Sequence, residues 1–316
     1  MDVNQLREHV AYLQDEVNGQ KEIIATLQKM VDRAEAPLGR LSKDLRKASA
    51  LIKRREARYL VNTYYQIQDF RIASASQIRA MGDEPCNVLN WINDNMDLIE
   101  GDIQRALGVF SQNYRVGQWL QSICGIGPVI SAGMLAHLDV RKCKTAGHFW
   151  SFAGLDPTKK WEKGKKRPWN AFLKTLVVFK AGESFVKVQN NKNDFYGKHF
   201  VVQKQKLTAL NEAKAFEETA KAVLEAKKFN KDTDAYKAYI EGFLPKAHIH
   251  AMARRWAAKL FLSHVHHVMY EDYFGEPPMM PYVFTHSRED HRHYIAPPNW
   301  PNADLGGTSL KTLLDD

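Results

Sequence analysis

Residues 120–138 read LQSICGIGPVISAGMLAHL, a Gly-x-Gly turn between two apolar segments of helical character. Gly125 and Gly127 permit positive φ angles and let the backbone approach a ligand closely. Pro128 suits the first turn of the helix that follows, because its missing N–H would have no partner there. The stretch therefore predicts two short helices joined by a tight turn, the helix-hairpin-helix arrangement.

The turn also predicts a binding site for phosphate. Exposed amides at the start of a helix, aided by the helix dipole, form a natural anion site. We expect Gly125, Ile126 and Gly127 to hold a phosphate of a nucleic-acid backbone, and such a contact reads little base sequence. The alternative interpretation is a tight turn between packed helices that binds no ligand.

A basic segment follows at residues 152–174 and reads FAGLDPTKKWEKGKKRPWNAFLK. Lysine and arginine neutralise phosphates and release counterions, while exposed rings such as Trp161 and Trp169 stack on unpaired bases. A solvated loop is the alternative interpretation. We also expect Arg254, on a later helix, to meet phosphate. The residues of the segment predicted to bind nucleic acid are Lys159, Lys160, Lys163, Lys165, Lys166 and Arg167.

Residues 3–31 carry a heptad pattern. β-branched residues recur every seven positions and leucines stand three residues after them, with Gln20 as a polar exception. This pattern favours a parallel two-stranded coiled coil, so we expect a homodimer. The alternative is an amphipathic helix that folds back onto its own domain. The predicted dimer contacts are Val3, Leu6, Val10, Leu13, Val17, Ile24, Leu27 and Val31.

The whole sequence predicts a mainly α protein, in which an N-terminal coiled coil and helical arm precede a helical domain that contains the hairpin. No alternating pattern is long enough for a major sheet. The Pro-rich end after Gly275 is expected to be extended and to lie over the domain. The expected segments are a dimerising coiled coil at 1–36, a helical arm at 37–117, a helix-hairpin-helix domain at 118–200, a charged helical insertion at 201–245, and a closing helix with a Pro-rich tail at 246–316.

Composition narrows the possible partners and location. The net charge of +9 favours a polyanionic partner. No run approaches the roughly 18 apolar residues that span a bilayer, so we expect no membrane partner. Three scattered cysteines and the lack of a secretory signal favour a reducing, cytoplasmic setting. Histidines cluster late in the chain, but spacing alone does not indicate a zinc site, and we expect no metal or other cofactor.

Several of these motifs together resemble the C-terminal domain of the insertion-sequence 110 transposases, the bridge-RNA-guided recombinases. The likeness rests on Gly125-Ile126-Gly127-Pro128, on Phe149 and on Ala153-Gly154-Leu155-Asp156-Pro157. The segment HIHAMARRWAAKLFLSHVHHVMYEDYFG resembles the closing helix of that family. The likeness covers about residues 85–300 and is strongest at 118–182 and 246–273. It implies DNA as the partner, with structured RNA as the alternative, because the family uses such an RNA.

The departures from the family concern catalysis. The family has a RuvC-like nuclease domain with four acidic metal ligands, and we expect none here because the heptads begin at residue 3. It also has a nucleophilic serine in a Ser-Gly pair, which here reads Lys163-Gly164, with no serine between Phe152 and Gly182. We therefore expect a DNA-binding protein without catalytic residues, inactive on its own.

Two other functions remain open from the sequence. One is a transposase subunit that acts in DNA transposition and recombination with a nuclease domain supplied by another polypeptide. The other is a structural or protein-interaction dimer with no nucleic-acid role, in which the basic face binds an acidic protein.

Overall fold

The computed structural model describes residues 2–35, 41–82, 87–279, 294–302 and 304–315. These residues are mainly helical and contain no strand, which confirms the prediction of a mainly α protein. The chain divides into two compact units. The first comprises 1–42 and 64–102, and the second comprises 43–63 and 103–316.

The first unit contains helix α1 (Val3–Glu35) and most of two further helices, α3 (Arg54–Ala80) and α4 (Asn87–Gln112). Glu100 ties α3 to α4 within this unit, because its buried carboxylate accepts hydrogen bonds from Arg71 Nε at 2.6 Å and Gln68 Nε2 at 2.8 Å. Burial alone would raise the pKa of Glu100, but these hydrogen bonds and the charge of Arg71 keep it below its usual value.

The second unit places the hairpin between two helices. A short helix α2 (Lys43–Ala48) opens the unit, and α5 (Arg115–Ser122) and α6 (Pro128–His137) flank the Gly-x-Gly turn as predicted. Most of α6 is buried, since its small residues Ala132, Gly133 and Ala136 let neighbouring helices approach closely. A methyl group on Gly133 would lie 2.5 Å from Leu176 Cδ2.

Two arginines of α3 bind the C-terminal end of α6. Arg58 Nε donates to Ala136 O at 2.7 Å and Arg54 Nη2 donates to Leu138 O at 2.7 Å. Arg54 also pairs with Asp139 at 3.4 Å. The last carbonyls of a helix lack partners within it and carry negative partial charge, so guanidinium groups stabilise this end.

The remaining helices of the second unit include a long closing helix, α13 (Lys246–Phe274). They are α7 (Ala146–Phe152), α8 (Ala171–Lys174), a π-helix (Thr175–Ala181), α9 (Gly182–Val188), α10 (Tyr196–Glu212), α11 (Glu217–Ala226), α12 (Asp234–Ile240), α13 (Lys246–Phe274) and α14 (Leu310–Asp315). The closing helix α13 buries Ala253, Ala257, Phe261 and Val265 at four-residue spacing, and it contacts α5, α7, α9 and α10. Gly275, with φ +82°, ends it.

Residues 201–245, the expected charged insertion, share an apolar core with the closing helix. Leu207, Ala220, Tyr239 and Leu244 are buried in one cluster that also includes residues of α13. Lysines and glutamates cover the outer faces of these helices, as the composition predicts.

The chain after α13 is partly extended and partly helical. Residues 294–302 lack regular helix, and Pro298 O accepts a hydrogen bond from Trp119 Nε1 at 2.7 Å, as expected for a segment that lies over the domain. Helix α14 was not expected. It is held because the buried carboxylate of Asp272 accepts from Leu310 N at 2.6 Å and pairs with Arg115 at 3.0 Å. Pro281 and Tyr282 lie outside the described residues.

None of the described helices is both long and apolar enough to cross a membrane.

Candidate nucleic-acid interface

Gly125 is required by close packing in the hairpin. Its φ is +90°, and a methyl group there would lie 2.8 Å from Ser184 Oγ and 3.2 Å from Val188 Cγ2. The Ser184 hydroxyl donates a hydrogen bond to Gly125 O. Helix α9 therefore holds this side of the turn, and only glycine combines the positive φ with the space available.

Gly127 lies at the open side of the same turn. A methyl group there would meet nothing within 4 Å, and Gly127, as the N-cap residue of α6, brings no side chain to cap the amides of that helix. Ile126, in contrast, is buried, and its N–H donates to Ile123 O at 3.0 Å. Of the three residues predicted to bind phosphate, Gly127 stands open, while Gly125 and Ile126 form the packed side of the turn.

The basic segment is an exposed loop whose two ends are joined. Asn170 N donates to Phe152 O at 2.9 Å, and Trp169 packs against Gly154, where φ is +65°. Asn170 then caps α8, since its Oδ1 accepts from Leu173 N at 3.0 Å. The Ala-Gly-Leu-Asp-Pro motif thus forms the base of this loop, with Ala153 and Leu155 buried.

Five of the six predicted cations of the loop have no acidic partner among the described ion pairs. Lys165 pairs with Glu162 at 2.7 Å, whereas Lys159, Lys160, Lys163, Lys166 and Arg167 are exposed. Trp161 is also 42 % exposed, but Arg167 lies 5.2 Å from the centroid of its ring and its Nε1 donates to Lys165 O at 2.7 Å. The loop therefore presents positive charge to solvent and holds one aromatic ring partly covered.

Arg254, the cation predicted on the closing helix, lies against α9. Its guanidinium pairs with Glu183 and lies 4.9 Å from the centroid of Phe179, and its side chain is 13 % exposed. Burial lowers its pKa from the usual arginine value, and the charge of Arg255 adds to this effect. The next residue, Arg255, is the exposed one.

Residues 117–175 match the Transposase IS116/IS110/IS902 family. The matched segment runs from α5 through the hairpin, α7 and the basic loop into the π-helix, so it contains both candidate phosphate-binding features. The match confirms the resemblance that the motifs indicate, and it implies a transposase-related role in DNA binding. No match was found to a curated protein or to a solved structure.

Residues 117–175, called the transposase-type segment from here on, have no serine where the family resemblance places the nucleophile. Lys163 is exposed there, and Gly164 adopts a φ of +88° with open space around it. Ser184, the next serine along the chain, lies outside the matched residues and is engaged with Gly125 O.

The late histidines that the structure describes contribute to packing. His264 is buried between the Tyr196 hydroxyl at 2.8 Å and Ile295 O at 2.8 Å, and burial lowers its pKa to about 4. His266 is also buried, and it bonds to Cys143 O at 2.9 Å. Within the described part of the chain, no three His, Cys, Asp or Glu residues are grouped to hold a metal ion. His286, His291 and His293 lie outside the described residues.

Three further cations, Lys174, Arg255 and Lys259, lie beside the transposase-type segment or at its end. Lys174 Nζ lies 4.7 Å from the centroid of Trp169, and Lys259 Nζ lies 5.2 Å from the centroid of Trp150. Arg255 is one helical turn before Lys259 on α13. The i, i+4 spacing of Arg255 and Lys259 in the sequence indicates that both lie on one face of a helix.

Proposed function

We propose that this chain is a DNA-binding protein related to transposases, and that it does not cut DNA on its own. One observation carries the proposal: five exposed cations, none with an acidic partner among the described ion pairs, lie in a loop of the segment that matches the transposase family. Phosphate contacts account for most of the affinity of such proteins, because each neutralised phosphate releases counterions. The open amides at Gly127 supply a further candidate contact.

A salt titration of duplex binding tests this proposal. If the protein contacts six to eight phosphates, its affinity falls by about three to four decades between 50 and 200 mM salt. Fluorescence anisotropy of a labelled duplex measures the dissociation constant at each salt concentration. Binding that is absent or insensitive to salt would overturn the proposal in favour of an acidic protein partner.

The absence of a family-type serine between Phe152 and Gly182 supports inactivity of the isolated chain. Incubation of the purified protein with supercoiled DNA and Mg²⁺ tests this point. We expect intact DNA. Nicked or linear product that disappears in a Lys163→Ala variant would contradict inactivity and place chemistry in the loop. Cleavage that appears only after addition of a separate nuclease polypeptide would support the subunit alternative.

We further propose that two copies pair through α1. Seven of the eight predicted contact residues are exposed, between 44 % for Leu13 and 63 % for Ile24. The side chain of Val31 lies outside the described residues. A row of exposed aliphatic side chains on one 33-residue helix favours burial against a second apolar surface.

The charges beside this row favour a second copy in parallel register. In a parallel pair, each residue before an a position faces the residue that follows the next d position of the partner. Asp2 would then face Arg7 of the second copy, and Glu16 would face Lys21. Both pairs join opposite charges, so this register adds attraction on each side of the apolar seam.

Sedimentation equilibrium tests the pairing. Wild-type protein is expected at twice its chain mass, and Leu13→Asp is expected at the mass of one chain. The matched control is Tyr12→Asp, which adds the same charge at an exposed position outside the seam and is expected to remain dimeric. A wild-type monomer, or a dimer that survives Leu13→Asp, would contradict the proposal.

A further inference from the structure

We propose that Lys174, Arg255 and Lys259 form a second phosphate-binding cluster, which holds the DNA backbone beside the basic loop. The cluster joins the end of α8 to one face of the closing helix α13. This inference rests on the proposed DNA binding and deepens it, because it assigns part of the interface to a helix outside the matched segment. It also replaces Arg254 by its neighbour as the cation that meets phosphate.

Both lysines of the cluster are held against indole rings that the fold fixes in place. Trp169, under Lys174, packs on the backbone of Gly154 at the base of the loop. Trp150, under Lys259, is fixed because its Nε1 donates to Lys259 O and to Ser263 Oγ, each at 3.2 Å. A cation on the face of an indole ring is attracted by the ring quadrupole, so these ammonium groups have preferred positions before any ligand arrives.

Arg255 is near enough to both lysines for its charge to act on each, and no described ion pair neutralises these three cations. None of the ion pairs among the described residues includes Lys174, Arg255 or Lys259, whereas the adjacent Arg254 is paired with Glu183. Burial lowers the pKa of Lys174, and the charges of Arg255 and Arg167 lower it further. Burial also lowers the pKa of Lys259; Asp156 opposes this effect and Arg255 adds to it. At Lys174 the charges of Arg255 and Arg167 repel with no acidic group acting against them, and a bound anion offsets that repulsion.

The geometry favours a phosphate backbone over stacked bases as the ligand. Lysine heads already cover one face of Trp150 and one of Trp169, so those faces are not free for bases. Arg255 and Lys259 are four residues apart, about 6 Å along the helix axis. That separation is close to the rise of two base-pair steps, about 3.4 Å each along the axis of a DNA duplex. Arginine adds a planar fork suited to phosphate oxygens, and lysine adds a point charge.

The test compares two triple variants that remove the same charge. The first carries Lys174→Gln, Arg255→Gln and Lys259→Gln. The matched control carries Lys206→Gln, Lys228→Gln and Lys231→Gln, three exposed positions of the 201–245 insertion. Both are titrated with a labelled duplex from 50 to 200 mM salt, and circular dichroism confirms their helix content.

We expect the cluster variant to reduce the slope of log affinity against log salt by about 0.9 for each lost contact, or about 2.7 in total. At 0.1 M salt, each lost contact corresponds to about a tenfold weaker affinity. The control variant is expected to keep the wild-type slope. If the triple variant does not fold, the single exchanges Arg255→Gln and Lys259→Gln are each expected to reduce the slope by about 0.9.

Three outcomes separate the two proposals. A folded cluster variant with the wild-type slope would overturn the cluster and leave DNA binding intact. Wild-type protein with no salt-dependent affinity would overturn DNA binding itself. A folded RNA competitor whose binding depends on the cluster, while duplex binding does not, would overturn the assignment of the cluster to DNA.

Discussion

The two glycines of the hairpin differ in what surrounds them, and this difference separates stability from binding. A side chain at Gly125 must adopt a φ of +90° and meet Ser184, so Gly125→Val is expected to destabilise the fold by about 2 to 4 kcal/mol. Gly127→Val meets open space at its first side-chain carbon but puts a poor N-cap residue on α6, so it is expected to cost only about 1 kcal/mol and to weaken DNA binding by covering the amides of α6. Urea unfolding and duplex titration of both variants check this.

One outcome would contradict the proposal that a phosphate binds beside Gly127. If Gly127→Val binds DNA as tightly as the wild type, the open amides hold no phosphate and the hairpin acts as a packing turn only. Gly127→Ala is the milder comparison, since a single methyl group there meets nothing within 4 Å.

His264 makes stability depend on pH. Its usual pKa near 6.5 is lowered to about 4 by burial, so the folded protein binds a proton there less readily than the unfolded chain. The neutral His264 ring therefore makes its full contribution to the free energy of unfolding above pH 6.5. That contribution is lost as the pH falls from 6.5 towards 4. About 2.5 pKa units correspond to about 3 kcal/mol of unfolding free energy.

Urea unfolding at several pH values measures this dependence. His264→Gln removes the titrating ring, so its unfolding free energy is expected to change less between pH 7 and pH 4.5 than that of the wild type. His137 and His266, whose pKa values are also lowered by burial, supply part of the pH dependence that remains. Equal pH dependence in both proteins would show that His264 is already accessible to protons in the folded state.

At the scale of elements, local patterns predict the hairpin helices, α1 and the closing helix, and long-range packing decides the features that local patterns leave open. The hairpin, α1 and the closing helix follow from glycine, proline and apolar spacing along short stretches. Which of Arg254 and Arg255 faces solvent follows from the rotation of α13 about its axis. That rotation is fixed by α9 and α10, which lie more than 40 residues earlier in the chain.

The short helix α14 also cannot be predicted from its local sequence. Six residues are too few for a stable helix in isolation, because nucleation is unfavourable. Three buried leucines and the carboxylate of Asp272, 38 residues earlier, stabilise it. A pattern confined to Leu310–Asp315 holds no sign of Asp272, so the extended tail was the reasonable expectation for this part of the chain.

The proposed pairing of α1 has one polar layer, at Gln20, and a substitution there tests the register. Gln20 occupies a d position among leucines, so Gln20→Leu is expected to tighten the proposed dimer by about tenfold or more, through burial of two added leucines. Gln5→Leu, the same exchange at an outward position, is the control and is expected to leave the dissociation constant unchanged. Sedimentation at several protein concentrations measures both constants. A weaker dimer in Gln20→Leu would contradict the proposed register.

For the whole molecule, the division into two units places the proposed dimer helix and the proposed DNA-binding surfaces in different units. Helix α1 belongs to the first unit. The hairpin, the basic loop and the cluster of Lys174, Arg255 and Lys259 belong to the second. A substitution in the α1 seam is therefore expected to leave each DNA-binding surface intact. What it removes is the linkage between two such surfaces, and linked surfaces gain affinity because the second contact becomes intramolecular.

Leu13→Asp tests this linkage on two lengths of DNA. On a duplex long enough for two copies, its affinity is expected to fall by about a hundredfold relative to the wild type, because the second contact is no longer intramolecular. On a duplex that accommodates one copy, both proteins are expected to bind alike. Equal losses on the two duplexes would instead mean that α1 contacts DNA itself, and no loss on either would mean that each copy binds independently.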